Sequence, residues 1–155
     1  MDFYSGQNYV IEESIGYLIK RAQAALQRTV DGKMAELDLT ALQWAPLLFI
    51  SLGKMSSTAA DISRCLGVET SSMTRMLDRL EGKGLLTRTR SADDRRVIFL
   101  ELTEEGKRQV SKVPYLIADS LNQHLRGFNQ EEVESLKSML KRIADNAGDR
   151  NLEQV

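Results

Sequence analysis

The stretch Thr58-Ala59-Ala60-Asp61-Ile62-Ser63-Arg64-Cys65-Leu66-Gly67-Val68-Glu69-Thr70-Ser71-Ser72-Met73-Thr74-Arg75-Met76-Leu77-Asp78-Arg79-Leu80-Glu81-Gly82 carries two helix signals around one turn. Thr58 and Asp61 stand three apart, as in a capping box, where a hydroxyl and a carboxylate satisfy the free donors of a first helical turn. Ile62 and Leu66 give a short helix one inward face, and Gly67 supplies the turn. Met73, Leu77 and Leu80 then recur at steps of four and three, which predicts a second helix from about Thr70 to Gly82 with a buried stripe. Ser71, Ser72, Thr74, Arg75, Asp78 and Arg79 fall on its other faces. Short helix, glycine turn and polar-faced helix make a helix-turn-helix unit, whose second helix is of a size to enter a DNA major groove. Small hydroxyls allow close approach to phosphates, and Arg75 and Arg79 have the length to reach base edges. An ordinary solvated face accounts for the same residues equally well when this stretch is taken alone.

Downstream the period changes to two. Leu85 to Arg90 and Val97 to Leu102 alternate as strands do, and the polar loop Ser91-Ala92-Asp93-Asp94-Arg95-Arg96 between them makes a hairpin with a charged tip. Thr103-Glu104-Glu105 opens a helix whose carboxylates face the positive dipole end. Val110, Val113, Ile117, Leu121, His124 and Phe128 continue it, with a bend expected at Pro114. Asn129-Gln130-Glu131-Glu132 caps a last helix, on which Val133, Leu136, Leu140, Ile143 and Ala147 form a coiled-coil-like seam. Upstream, Ile11, Ile15, Leu18, Ala22, Leu26 and Val30 predict an amphipathic helix from Val10 to Val30. Thr40 caps another over Ala41 to Leu52, apolar on most sides and therefore buried. Pro46 inside it predicts a kink or a late start. The expected architecture is mainly α with a small β-hairpin wing: a winged helix-turn-helix lobe at 39–102, a dimerisation helix at 1–38 before it and dimerisation helices at 103–155 after it.

The bulk numbers narrow the function classes. At 155 residues, 42% hydrophobic and 28% charged, the chain is a folded globular protein and not a disordered one. Its longest apolar run, Ala45 to Ile50, is too short to span a bilayer, and its first residues lack the pattern of a signal peptide, so a cytoplasmic location with no membrane partner is expected. One cysteine and one histidine leave no multi-cysteine metal site and no obvious triad, so neither a metal nor a cofactor is expected. Carboxylates are plentiful but form no catalytic constellation, and no Gly-rich phosphate loop occurs, so the chain does not read as an enzyme. The net charge of −1 is unevenly spread: from Arg64 to Arg96 eight Lys/Arg face five Asp/Glu, a local +3 that leaves −4 for the rest. A basic centre on an acidic chain is compatible with a focused phosphate-facing surface.

Asp94-Arg95-Arg96, six intervening residues, and then Thr103-Glu104-Glu105-Gly106 resemble the wing signature of the MarR family, in which Asp-x-Arg and a hydrophobic strand lead to Leu-Thr-x-x-Gly. Thr74 to Leu85 resembles that family's recognition helix and its exit, and Leu39-Thr40-Ala41-Leu42-Gln43-Trp44 the start of its second helix. The likeness runs from Val10 to about Ala147. It implies an obligate homodimer with interdigitated terminal helices, Ile11, Ile15, Val133, Leu136, Leu140 and Ile143 among the contacts. It implies recognition helices in successive major grooves of a pseudo-palindromic operator in double-stranded DNA, with wings in the flanking minor grooves. By position Arg96 enters the minor groove, Asp94 braces it and Arg95 contacts phosphate. Thr70, Ser71, Ser72, Thr74, Arg75, Arg79, Arg88 and Arg90 complete the expected DNA-facing set. Glu69 stands where many relatives carry an aspartate cap, and Thr70 is expected to take over that role. Repression is the family's usual mode.

The resemblance also implies a cleft for small aromatic anions beside the first two helices. Tyr17, Arg21, Trp44, Leu48 and Met55 are the residues proposed to line it, apolar walls with one cation suiting a carboxylate or phenolate effector. The plainer alternative places Trp44 and Leu48 in the core and Arg21 in solvent. Cys65 reads as a packing residue, with redox sensing as the rival. His124 reads as structural, with a ligand or pH role as its rival. A winged helix that binds protein in place of DNA is the remaining class alternative, against which the Ser71–Arg79 face and the Arg95-Arg96 tip weigh.

Overall fold

The computed structural model describes residues 2–53, 58–91 and 97–146. Among the described residues seven α-helices, α1 (Ile15–Met34), α2 (Ala41–Leu52), α3 (Ala59–Leu66), α4 (Thr70–Gly82), α5 (Glu104–Val110), α6 (Val113–His124) and α7 (Gln130–Asn146), surround one antiparallel hairpin of β1 (Leu86–Arg90) and β2 (Ile98–Leu102), and a 3₁₀ turn, Ala35–Leu37, follows α1. The hairpin register runs from Leu86 opposite Leu102 to Arg90 opposite Ile98, and Thr58 pairs with Phe99 on the outer edge of β2. This is the mainly helical winged architecture that the patterning predicts.

Two helices depart from their expected bounds, each for a local reason. Ile11–Glu13 forms a single 3₁₀ turn, and α1 starts only at Ile15, because Ser14 caps it by accepting the Tyr17 N–H at 3.3 Å. The same helix runs on to Met34, because Val30 and Met34 are both buried and extend its apolar stripe. The expected bend at Pro114 is a full break. Helix α5 ends at Val110, and α6 restarts at Val113 with Pro114 in its first turn, where a missing N–H leaves no bond unmade. Helix α2 starts on its Thr40 cap and not late, and Pro46 lies inside it, fully buried. Its box is closed by Gln43, whose Oε1 accepts the Thr40 N–H at 3.1 Å.

The core lies where α2, α3, α4 and the hairpin meet. Leu47, Ile62, Met73, Leu77, Leu80, Leu85 and Leu86 are all fully buried there, and Met34 and Val113 extend it toward α1 and α6. Each such side chain contributes about 1.5–3 kcal/mol by leaving water. The Leu-Thr-x-x-Gly segment locks the hairpin onto this core. Thr103 donates its N–H to the Leu85 carbonyl at 3.1 Å and its hydroxyl to the Gly84 carbonyl at 2.6 Å, while its Oγ1 accepts the Gly106 N–H at 3.0 Å. A Cβ on Gly106 would sit 1.9 Å from the Leu85 carbonyl oxygen, so only glycine allows this approach. By contrast α7 buries none of its residues. Its cap is complete: Asn129 Oδ1 accepts the Glu132 N–H at 2.9 Å, and Glu132 accepts the Asn129 N–H at 2.8 Å.

Candidate nucleic-acid interface

Helix α3 is started by Thr58, whose Oγ1 accepts the Asp61 N–H at 3.2 Å and donates to Asp61 Oδ2 at 2.6 Å. Gly67 ends it in the left-handed region at φ 62°, and the Val68 N–H returns to the Ser63 carbonyl at 3.0 Å. This tight turn aims α4 across the lobe. Met73, Met76, Leu77 and Leu80 sink one face of α4 into the core, which leaves Thr70, Ser71, Ser72, Thr74, Arg75 and Arg79 exposed on the others. Thr70 does not cap the helix: Glu69 holds that position with no side-chain bond, and Thr70 is the first helical residue. The Thr70 carbonyl accepts the Thr74 hydroxyl at 2.9 Å.

Arg88 departs most from its sequence role. Its Nη2 meets Asp78 Oδ1 at 2.6 Å and its Nε lies 3.4 Å from Glu81 Oε2, too poorly aligned for a hydrogen bond. The guanidinium is thus turned onto α4 and braces the hairpin against that helix, while Arg90, two residues on, is exposed. Asp94, Arg95 and Arg96, expected at the wing tip, lie outside the described residues, as does Met55.

Sequence reasoning missed a second brace. Lys83, just past α4, donates from Nζ to the Asp38 carbonyl, to Asp38 Oδ2 at 3.0 Å and to Gln43 Oε1 at 3.3 Å. Its partners lie 45 and 40 residues earlier in the chain, a separation that carries no local signal.

The residues suggested for an effector divide. Leu48 lines a cavity of about 660 Å³ between α2, β2 and the α5–α6 break, with Leu52, Leu100, Leu102, Val110 and Pro114 as apolar walls and Ser51, Glu101, Lys107 and Ser111 as polar ones. The Lys107 pKa is raised, first by its hydrogen bond to Glu104 and then by that carboxylate's charge, so the cation at this wall is already paired, and Glu101 adds a carboxylate beside it. Tyr17, Arg21 and Trp44 do not line this cavity. The Arg21 guanidinium carbon lies 5.9 Å from the Tyr17 ring centroid. Trp44 is half-buried against the core, and its Nε1 has no hydrogen-bond partner among the described residues.

Of the seam residues, Ile11, Ile15, Leu136, Leu140 and Ile143 are exposed and Val133 is half-buried. His124 ties α6 to α1 through Thr29, with Nε2 2.7 Å from Oγ1, and Lys33 of α1 pairs with Asp119 of α6. Cys65 is half-buried on α3. No helix among the described residues is long and apolar enough to cross a membrane.

A model of the MarR family matches residues 37–97, the stretch that holds α2, the helix-turn-helix and the start of the hairpin. CouR, a transcriptional repressor solved on a 23-mer DNA duplex, is 30% identical over 93% of this chain and 99% of its own, with a TM-score of 0.77. The chain belongs to the MarR family. A MarR variant from E. coli complexed with operator DNA is 28% identical over 88% of this chain and 99% of that one, with a TM-score of 0.75. The transcriptional regulator PA3341 is 28% identical over 88% of this chain and all of its own, with a TM-score of 0.78. Membership in the MarR family makes the protein a transcriptional regulator and gives the braced α3–α4–hairpin lobe its context.

Proposed function

We propose that this MarR-family regulator is a homodimeric, sequence-specific DNA-binding repressor. The observation that carries the reading is α4 itself. Its apolar stripe is wholly consumed by the core, so Ser71, Ser72, Thr74, Arg75 and Arg79 form an exposed hydroxyl-and-guanidinium face at the end of a turn that projects it. Such a face suits a major groove, where arginine reads guanine edges and small hydroxyls meet phosphates. Arg95 and Arg96 are assigned to phosphate and minor groove and Asp94 to bracing, on the strength of the wing motif. CouR, a repressor held on duplex DNA, supports the same direction. The test is binding to random duplex and then to selected operator across a salt series. Affinity should fall steeply with salt through counterion release, and selection should return a pseudo-palindrome with half-sites about 10 bp apart. A salt-independent or undetectable interaction would favour the protein-binding alternative.

Control by a small aromatic or phenolic acid belongs to the same proposal. Its support is the cavity between α2, β2 and the α5–α6 break, whose leucine walls suit an aromatic ring and whose Lys107 would exchange Glu104 for the acid group. The ligand must bind better when the two reading lobes are badly spaced for DNA, since equal affinity for both states shifts nothing. Lys107→Ala should weaken the response to benzoate-type probes without changing operator affinity in their absence.

A further inference from the structure

We propose that Lys83 is a positioning residue that registers the recognition helix on the α1–α2 corner and so sets which half-site spacing the dimer accepts. This rests on the DNA-reading dimer proposed above. Lys83 sits immediately after α4 at φ −80° and ψ −3°, its N–H bonded to the Arg79 carbonyl at 3.0 Å, so its backbone belongs to the end of the recognition helix. Its ammonium has three donors and no acceptor, and the structure supplies three oxygens: the Asp38 carbonyl, Asp38 Oδ2 and Gln43 Oε1. Asp38 is the one non-glycine residue with positive φ among the described residues, at 52°, and in that conformation its carbonyl and its carboxylate reach the same cation. Gln43 is 5% exposed, and its Oε1 is shared between Lys83 and the Thr40 N–H that opens α2. One side chain therefore joins the connection between α1 and α2, where Asp38 closes a 3₁₀ turn, the cap of α2 and the end of α4.

The consequence is geometric more than energetic. The Asp38 side chain is 94% exposed, and an ion pair so open to water adds little stability. Apolar packing of Met73, Met76, Leu77 and Leu80 fixes which face of α4 turns inward, and the Lys83 bonds pin the end of that helix to the α1–α2 corner. In a dimer that orientation is doubled by symmetry. One base pair added between half-sites moves the second by about 3.4 Å along the duplex and about 35° around it, a change that two firmly registered helices reject and two loosened helices follow.

The test measures binding of the full-length wild type, K83M, K83R and D38G to the selected operator and to versions with one base pair added or removed between half-sites. The wild type should lose about tenfold or more on either change, K83M less than about threefold, and K83R should restore the steep profile. D38G keeps a residue suited to positive φ and removes one of the ammonium's three acceptors, so it reports a smaller loosening in the same direction should K83M fold poorly. Far-ultraviolet dichroism and sedimentation establish that each variant is folded and dimeric. K83M and D38G rejecting altered spacing as steeply as the wild type would overturn the proposal, and so would a uniform loss of affinity at every spacing. Wild-type protein that binds no duplex at all would overturn the DNA reading and this inference with it, an outcome distinct from the other two because there the wild type binds.

Discussion

Arg75 and Arg88 are both arginines of the reading lobe, yet their surroundings assign them different work. Arg75 is exposed on α4, whereas Arg88 spends its charge on Asp78 and Glu81. Arg75→Ala is expected to cost about 1–3 kcal/mol in operator affinity and to relax base preference at one position of each half-site. Arg88→Ala should lower affinity by releasing the hairpin from α4. The slope of log affinity against log salt should stay as in the wild type, because the Arg88 charge is already met by Asp78 and Glu81. Fluorescence anisotropy across a salt series separates the two, and a slope that falls by about one for Arg88→Ala would return that residue to the phosphate contacts. Gly106 gives the sharpest stability prediction at this scale. Its missing Cβ would overlap the Leu85 carbonyl, and the Thr103 bonds leave that carbonyl no room to retreat. Gly106→Ala should destabilise the fold by about 1–3 kcal/mol or more, and an unchanged urea midpoint would contradict the account.

At the scale of elements, caps decide where each helix begins, and most of them are visible in sequence. Thr58, Thr103 and Asn129 all accept the N–H three residues on. Thr58→Ala should therefore cost about 1 kcal/mol of unfolding free energy, read from denaturant curves. A loss near zero would mean that core contacts of Ile62 alone hold α3 in place. Ser14 does the same work for α1 but escaped notice because the apolar periodicity continues through it to Ile11. Periodicity records which residues share a face, and a cap records where the backbone enters the helix; where the two disagree, the hydrogen bond wins. The α5–α6 break has the same origin, since Pro114 is at home in a first turn and not in an interior.

For the whole molecule, the decisive feature is what remains uncovered. Leu136, Met139, Leu140 and Ile143 line up on a helix with no buried residue, and Ile11, Ile15 and Leu18 are exposed near the start of α1. A second copy offers the same apolar surfaces by symmetry, so pairing buries both. Leu140→Asp should shift sedimentation from dimer toward monomer and abolish high-affinity operator binding, since two half-sites are then no longer linked. A variant that stays fully dimeric at micromolar concentration would place the interface elsewhere.

Local chemistry of the chain was enough to determine the helix-turn-helix stripe, the glycine turn, the bounds of the two hairpin strands to within a residue and the exposed polar set on α4, because caps, periods of 3.6 and 2, and glycine turns act over a few neighbouring residues. The wing motif was equally legible as a string, although the reason for its glycine, a backbone carbonyl 21 positions earlier at Leu85, was not. Tertiary structure alone decided that Arg88 turns onto Asp78 and Glu81, that Lys83 reaches Asp38 and Gln43, and that Leu48 faces a cavity from which Tyr17 and Trp44 are absent. A charged side chain carries the same letter whether it meets phosphate, solvent or a carboxylate. Its partner is chosen only when distant segments pack, where electrostatic energy falls with distance and a few ångströms decide which neighbour wins.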